Sequence, residues 1–207
     1  MKLSAAGLLI PGHPGAAGRH LVSTAAGDQW SRSRAGLILP TGAITESYPR
    51  NVGQTTGSSW LSSGRLGMVL FGLYRGEPIT SVTFRSGTTG VGTGTHLWAA
   101  LFDVNRNRLC WSTDITSSSP WSSSTAKTFT FDNSGPYVVP SSGAYYVGLM
   151  CAATTVPNLI ATTSGSTNAW GDAPILVGTS DTGLTGTVPN PAAALTVQAT
   201  LPWCYLS

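Results

Sequence analysis

Asp103, Asn105, Asn107 and Asp114 stand at positions 1, 3, 5 and 12 of a calcium-loop count, the spacing in this chain that most invites a chemical reading. Such a loop needs Gly at its sixth position for a sharp turn and usually Glu at its twelfth, and here those positions hold Arg108 and Asp114. The intervening Leu109-Cys110-Trp111 has strand character, so a polar hairpin turn is expected and no metal. The glycines of Gly87-Thr88-Thr89-Gly90-Val91-Gly92-Thr93-Gly94-Thr95 lack the closing Gly-Lys-Ser/Thr of a phosphate cradle. A strand follows rather than a helix N-terminus, so a flexible loop is expected.

Nucleophilic and acid–base chemistry fare no better. Gly-x-Ser-x-Gly is absent, although Gly57-Ser58-Ser59 and Gly165-Ser166 come near it. Asp28, Glu46, Glu77, Asp103, Asp114, Asp132, Asp172 and Asp181 are scattered singly, whereas a glycosidase needs two carboxylates across one cleft. His96 opens a strand and reads as a packed or edge histidine. His13, His20 and His96 have no ligand spacing with the cysteines, and there is no Cys-x-x-Cys. Cys110, Cys151 and Cys204 are odd in number and flanked by apolar residues, which points to buried free thiols. No catalytic residue, metal or cofactor is expected, and the chain reads as a non-enzyme.

The tryptophans are the remaining candidates. Trp98, Trp111 and Trp203 fall in expected strands and belong first to the core. Trp121, after Ser117-Ser118-Ser119-Pro120, and Trp170 fall in polar loops and are the expected exposed contacts for a partner or a glycan.

Charged residues make up 9% of the chain against a usual share of about 25%, while apolar residues stay at 41%, so the composition is not that of a disordered protein. The net charge of +3 is carried by residues 1–58, where Lys2, Arg19, Arg32, Arg34 and Arg50 face Asp28 and Glu46. Such sparse arginines do not form a nucleic-acid patch, and nucleic-acid binding is not expected. The apolar run Leu3 to Ile10 is cut by Pro11-Gly12, too short for a convincing secretory leader, and nothing approaches the length of a membrane span.

Abundant Ser, Thr, Gly and Pro favour strands and turns. Residues 1–58 show no sustained period and read as an extended irregular arm, with Arg19, Trp30, Arg32, Arg34 and Arg50 as its contact residues. A segment of that kind frays unless other surfaces hold it, so docking on other subunits is expected. From about Trp60, short β-branched and aromatic runs alternate with turn residues. The expected strands are 65–74, 79–85, 96–103, 108–112, 127–131, 144–151, 158–161, 195–200 and 203–206. Leu97 to Phe102 and Tyr145 to Met150 are continuously apolar and should be central strands buried on both faces. The expectation is an all-β domain over 59–207, an antiparallel jelly-roll-like sandwich with a long loop at 162–194; a barrel is the alternative.

Residues Ser62 to Ala161 also resemble a known module. The matching stretches are Leu61-Ser62-Ser63-Gly64-Arg65-Leu66, Ile79-Thr80-Ser81-Val82-Thr83-Phe84-Arg85-Ser86-Gly87-Thr88 and His96-Leu97-Trp98-Ala99-Ala100-Leu101-Phe102-Asp103. Arg106-Asn107-Arg108-Leu109, Ser123-Ser124-Thr125-Ala126-Lys127-Thr128-Phe129, Gly143-Ala144-Tyr145-Tyr146-Val147-Gly148-Leu149-Met150 and Ala153-Thr154-Thr155-Val156-Pro157 follow in order. Together they resemble the β-sandwich module of minor tail and other virion proteins of tailed phages that infect actinobacteria. The resemblance implies a structural component of the phage particle, in the tail or decorating the head, whose partners are other virion proteins in a homo-oligomer or symmetric array. The alternative is a carbohydrate-binding module that contacts a host surface glycan.

Overall fold

The computed structural model describes residues 39–49, 52, 55–115, 121–163 and 173–207, together with the backbone of two strands, β1 (Arg19–Thr24) and β2 (Gly27–Arg32). The chain divides into two compact units, Met1–Ile38 and Leu39–Ser207. Among the described residues every regular element is a strand, so the protein is all-β.

In the first unit β1 and β2 pair antiparallel, with Arg19 opposite Arg32, Leu21 opposite Trp30 and Thr24 opposite Gly27. This hairpin replaces part of the irregular arm expected from the sequence. Its six-residue strands show no clean alternation of apolar and polar residues, so the sequence carries no period-two signal for them.

The second unit starts at Leu39, twenty residues before the expected boundary. Two short strands, β3 (Thr45–Glu46) and β4 (Thr55–Ser58), tie this stretch into the body. β3 pairs with the last strand, β17 (Cys204–Leu206), and β4 pairs with β13 (Leu159–Thr163). Ser47 Oγ donates to Pro202 O at 2.8 Å, and the buried Trp203 Nε1 donates to Glu46 Oε2 at 3.2 Å. Elements of two and four residues are too brief to print a period in sequence, which is why they read as arm.

The centre of the body is a six-stranded sheet. Its spatial order is β15 (Thr196–Val197), β14 (Val177–Ser180), β5 (Arg65–Leu73), β12 (Gly143–Ala153), β8 (Gly94–Asp103) and β9 (Arg108–Trp111). A second layer has the order β10 (Ala126–Thr130), β7 (Ser81–Arg85), β17, β3. A three-stranded sheet of β16 (Thr200–Pro202), β13 and β4 joins it through the bridge Ser86 to Leu159 and the bond from Trp203 N to Ile160 O. The remaining ribbon pairs β6 (Pro78–Ile79) with β11 (Tyr137–Val138).

The two layers close over one core. Val69, Phe71, Leu101, Val147 and Leu149 meet Val82, Phe84, Phe129, Leu159 and Leu206 there. Trp60 stacks on Phe84, Phe84 meets Phe129 edge-on, and Phe129 meets Trp121 edge-on, a row of rings at 6.1–6.3 Å spacing. Because side chains alternate across a strand, the other half of the same central residues faces away from that core. Leu66, Met68, Trp98, Ala100, Phe102, Tyr146 and Met150 form a second buried cluster on the outer face of the six-stranded sheet. The double-sided burial expected for Leu97–Phe102 and Tyr145–Met150 is therefore present.

Among the described residues no second sheet covers the outer face. Residues 181–195 do, placing Val188 and Ala192 against it. Leu184 N donates to Gly64 O, Trp98 Nε1 to Thr185 O, Arg108 Nη1 to Val188 O and Ala192 N to Arg106 O, at 2.7–3.0 Å. The long loop expected over 162–194 is thus, in its described part, the strand β14 followed by a pinned strap. Polar loop composition hid this role, because a strap needs only two or three apolar anchors while its backbone bonds to the sheet edges do the rest.

Candidate functional site

β8 positions the residue types most able to do chemistry. At its start, His96 Nδ1 lies 2.6 Å from Asp114 Oδ2. The other carboxylate oxygen accepts the Leu97 N–H at 2.8 Å, as Ser112 Oγ accepts the Ala99 N–H at 3.0 Å. The chain leaving β9 thus keeps following β8, with side-chain oxygens replacing carbonyls, and the carboxylate orients the imidazole. The strap closes on the pair at Gly186, where a Cβ would stand 2.9 Å from Asp114 Oδ2 and 3.4 Å from His96 Nδ1. Among the described residues Asp114 is the one side-chain hydrogen-bond partner of His96. His96 is partly buried, its side chain 30% exposed, and its partnership with Asp114, 18 residues away, had no sequence signal.

At the far end of β8, about 23 Å along a strand of this length, Asp103 is committed to a turn. Its Oδ1 accepts the Asn107 N–H and its Oδ2 the Asn107 side-chain amide, both at 2.8 Å. Asp103 and Asp114 therefore serve different ends of one strand, and Leu109-Cys110-Trp111 is strand β9. Among the described residues no three of His, Cys, Asp and Glu gather where they could hold a metal ion.

The glycine-rich stretch 87–95 is not the flexible loop expected. Thr89 N donates to Asn158 Oδ1, Val91 N to Trp121 O and Gly92 N to Thr155 O, all at 2.8 Å. A Cβ at Gly90 would lie 2.6 Å from Trp121 O, and one at Gly92 would lie 2.8 Å from Thr154 Oγ1. The missing side chains allow close backbone packing, the second use of glycine beside conformational freedom.

Trp121 corrects a more consequential expectation. It is 1% exposed, donates from Nε1 to Thr125 O at 3.1 Å and packs edge-on against Phe129. No partner or sugar ring can stack on it. The indole belongs to the core although polar residues flank it in the sequence. Trp170 lies outside the described residues, so the glycan reading loses one of its two supports.

No family model and no curated protein matches the chain.

All three cysteines are free and buried, as expected from their apolar neighbours. Burial pushes the Cys110 thiol up to about 12, against a lesser opposing hydrogen bond with Leu101, and pushes Cys151 to about 12 as well. Burial also raises Cys204. Thiols held neutral in this way are poor nucleophiles.

Of the expected arm contacts, Arg34 and Arg50 lie outside the described residues. Arg19, Trp30 and Arg32 are brought together by the β1–β2 register. Directly opposed residues on a ladder occupy the same face, and alternate pairs share it. Arg19 with Arg32, Leu21 with Trp30 and Ser23 with Asp28 are therefore alternate register pairs of the hairpin. The sequence hid this pairing because Ala25-Ala26 lacks the Asn-Gly or Asp-Gly signature of a tight hairpin turn.

Proposed function

We propose that this chain is a non-enzymatic structural subunit of a tailed-phage virion, a minor tail or head-decorating protein, which assembles through its N-terminal unit. The observation that carries the reading is the β1–β2 hairpin. A two-stranded ribbon is at best marginally stable alone in water, so it gains order by packing on something else. Its register positions pair Arg19 with Arg32, Leu21 with Trp30 and Ser23 with Asp28, and arginine and tryptophan are residue types that dominate protein interfaces.

The resemblance of Ser62 to Ala161 to the phage virion β-sandwich module supports the same reading. So does the body's chemistry, where the His96–Asp114 pair, the Asp103 turn and the three thiols are all spent on structure. The partners are other virion proteins, and a symmetric array lets each copy repeat one contact. The test is a phage whose copy of this chain lacks residues 1–38. Particles assembled without the chain, as read by mass spectrometry of purified virions, support the assembly role; incorporation at the normal level sinks it.

A further inference from the structure

We infer that the body binds a small monovalent anion, a halide such as chloride, at the end of its core where the side chains of Ser58, Trp60 and Arg65 meet the interior. The site goes beyond the assembly reading and stands or falls without it.

Three donors mark the place. Trp60 Nε1, Ser58 Oγ and Arg65 Nε are buried atoms with no hydrogen-bond partner in the protein, Trp60 being 2% exposed and Ser58 9%. Buried polar groups of native proteins are nearly always paired, so three orphans between residues 58 and 65 call for a partner. Backbone register turns them toward the same core. Arg65 lies directly opposite Cys151 and Ser58 directly opposite Leu159, both buried members of the core cluster, and directly opposed residues share a face. Trp60 belongs to that cluster itself. Its indole lies against Gly67, where a Cβ would stand 2.5 Å from Cζ2 and 2.8 Å from Cε2, the carbon that carries Nε1. Gly67 is two residues along β5 from Arg65 and so on the same face, which makes the indole and the Arg65 side chain neighbours.

The donor chemistry selects the occupant. Indole and guanidinium N–H groups only donate, and the serine hydroxyl is free to donate as well. A water among them has at most the serine oxygen as acceptor for its two hydrogens, whereas an anion accepts from all three. Among the described residues no carboxylate forms an ion pair with Arg65, so its positive charge is open to a soluble counterion. Nε and Nε1 each present a single N–H rather than the two-pronged guanidinium edge that grips a carboxylate or phosphate, which favours one compact spherical ion over an oxyanion.

The test is a sodium chloride titration of the isotope-labelled full-length protein at constant ionic strength, with sodium gluconate, whose anion is far larger, as the balancing salt. The Trp60 indole cross-peak in the nitrogen–proton correlation spectrum, assigned by its loss in Trp60→Phe, should move saturably with chloride. The melting temperature should rise along the same curve, as it does for any ligand that binds the folded state alone. Sodium sulfate titrated in the same way should leave the peak in place. Arg65→Met keeps the length of the side chain and removes its charge and donors, so the half-saturating chloride concentration should rise by about tenfold, the worth of one charge-assisted hydrogen bond. A Trp60 peak that stays put or drifts without saturation, an equal response to sulfate, or an unchanged midpoint in folded Arg65→Met overturns the inference. Should Arg65→Met fail to fold, Trp60→Phe takes its place: the chloride-dependent rise in melting temperature should shrink, and an undiminished rise overturns the inference equally.

Discussion

Single residues in this protein show how far local composition misleads about exposure. Trp121 sits among serines and yet is buried in the core. Trp121→Ala should cost about 3–5 kcal/mol in urea denaturation, where a surface glycan contact would leave stability untouched. Asp132 offers a pH test at the same scale. Burial nudges its carboxyl up, but bonds donated by Thr113 Oγ1 and N–H, both 2.6 Å, and by its own and Asn133's backbone outweigh that and hold it below the usual carboxylate range. Because the folded value is depressed, its stabilisation is fully present above the unfolded value of about 3.9 and is lost as pH falls through the folded value. Asp132→Asn should flatten that part of the acid-unfolding profile. The thiols give the opposite sign. With Cys110 and Cys151 raised to about 12, the unfolded chain ionises first as pH climbs past about 9, and stability declines from there. None of the three cysteines should react with a thiol reagent at pH 8 until denaturant is added.

Elements were legible where they were long and periodic. The expected strands at 65–74, 96–103, 108–112, 127–131 and 144–151 lie within a residue or two of β5, β8, β9, β10 and β12. The missed ones are β1–β4, β11 and β14, short or polar pieces with no period of their own. β14 is the sharpest case. Val177–Ser180 is buried throughout and pairs with β5, yet its signal was only the apolar Ile175-Leu176-Val177 inside a Gly- and Thr-rich stretch. The strap is the element whose removal should tell most. Val188→Asp should destabilise the body by about 3 kcal/mol or more, by unseating an anchor and burying a charge, and should raise binding of a hydrophobic dye at the exposed outer sheet face.

For the whole molecule the boundary between units is the testable quantity. Removing residues 1–38 should leave Leu39–Ser207 able to unfold in a single cooperative transition. Removing residues 1–58, the boundary suggested by composition, also deletes β3, β4 and the Glu46–Trp203 bond, and should lower the melting temperature or abolish folding. A circular-dichroism melt of the two truncations decides between them.

The amino-acid order alone determined the all-β class, the central strands buried on both faces, and the inert state of the thiols. Each rests on local composition and period, which a single chain displays directly. Tertiary structure alone decided that His96 meets Asp114, that Trp121 points inward, that residues 39–58 belong to the body and that a strap takes the place of a third layer. Those outcomes depend on which distant segments come to lie side by side, and short polar segments have no period of their own with which to announce a neighbour far away in the chain.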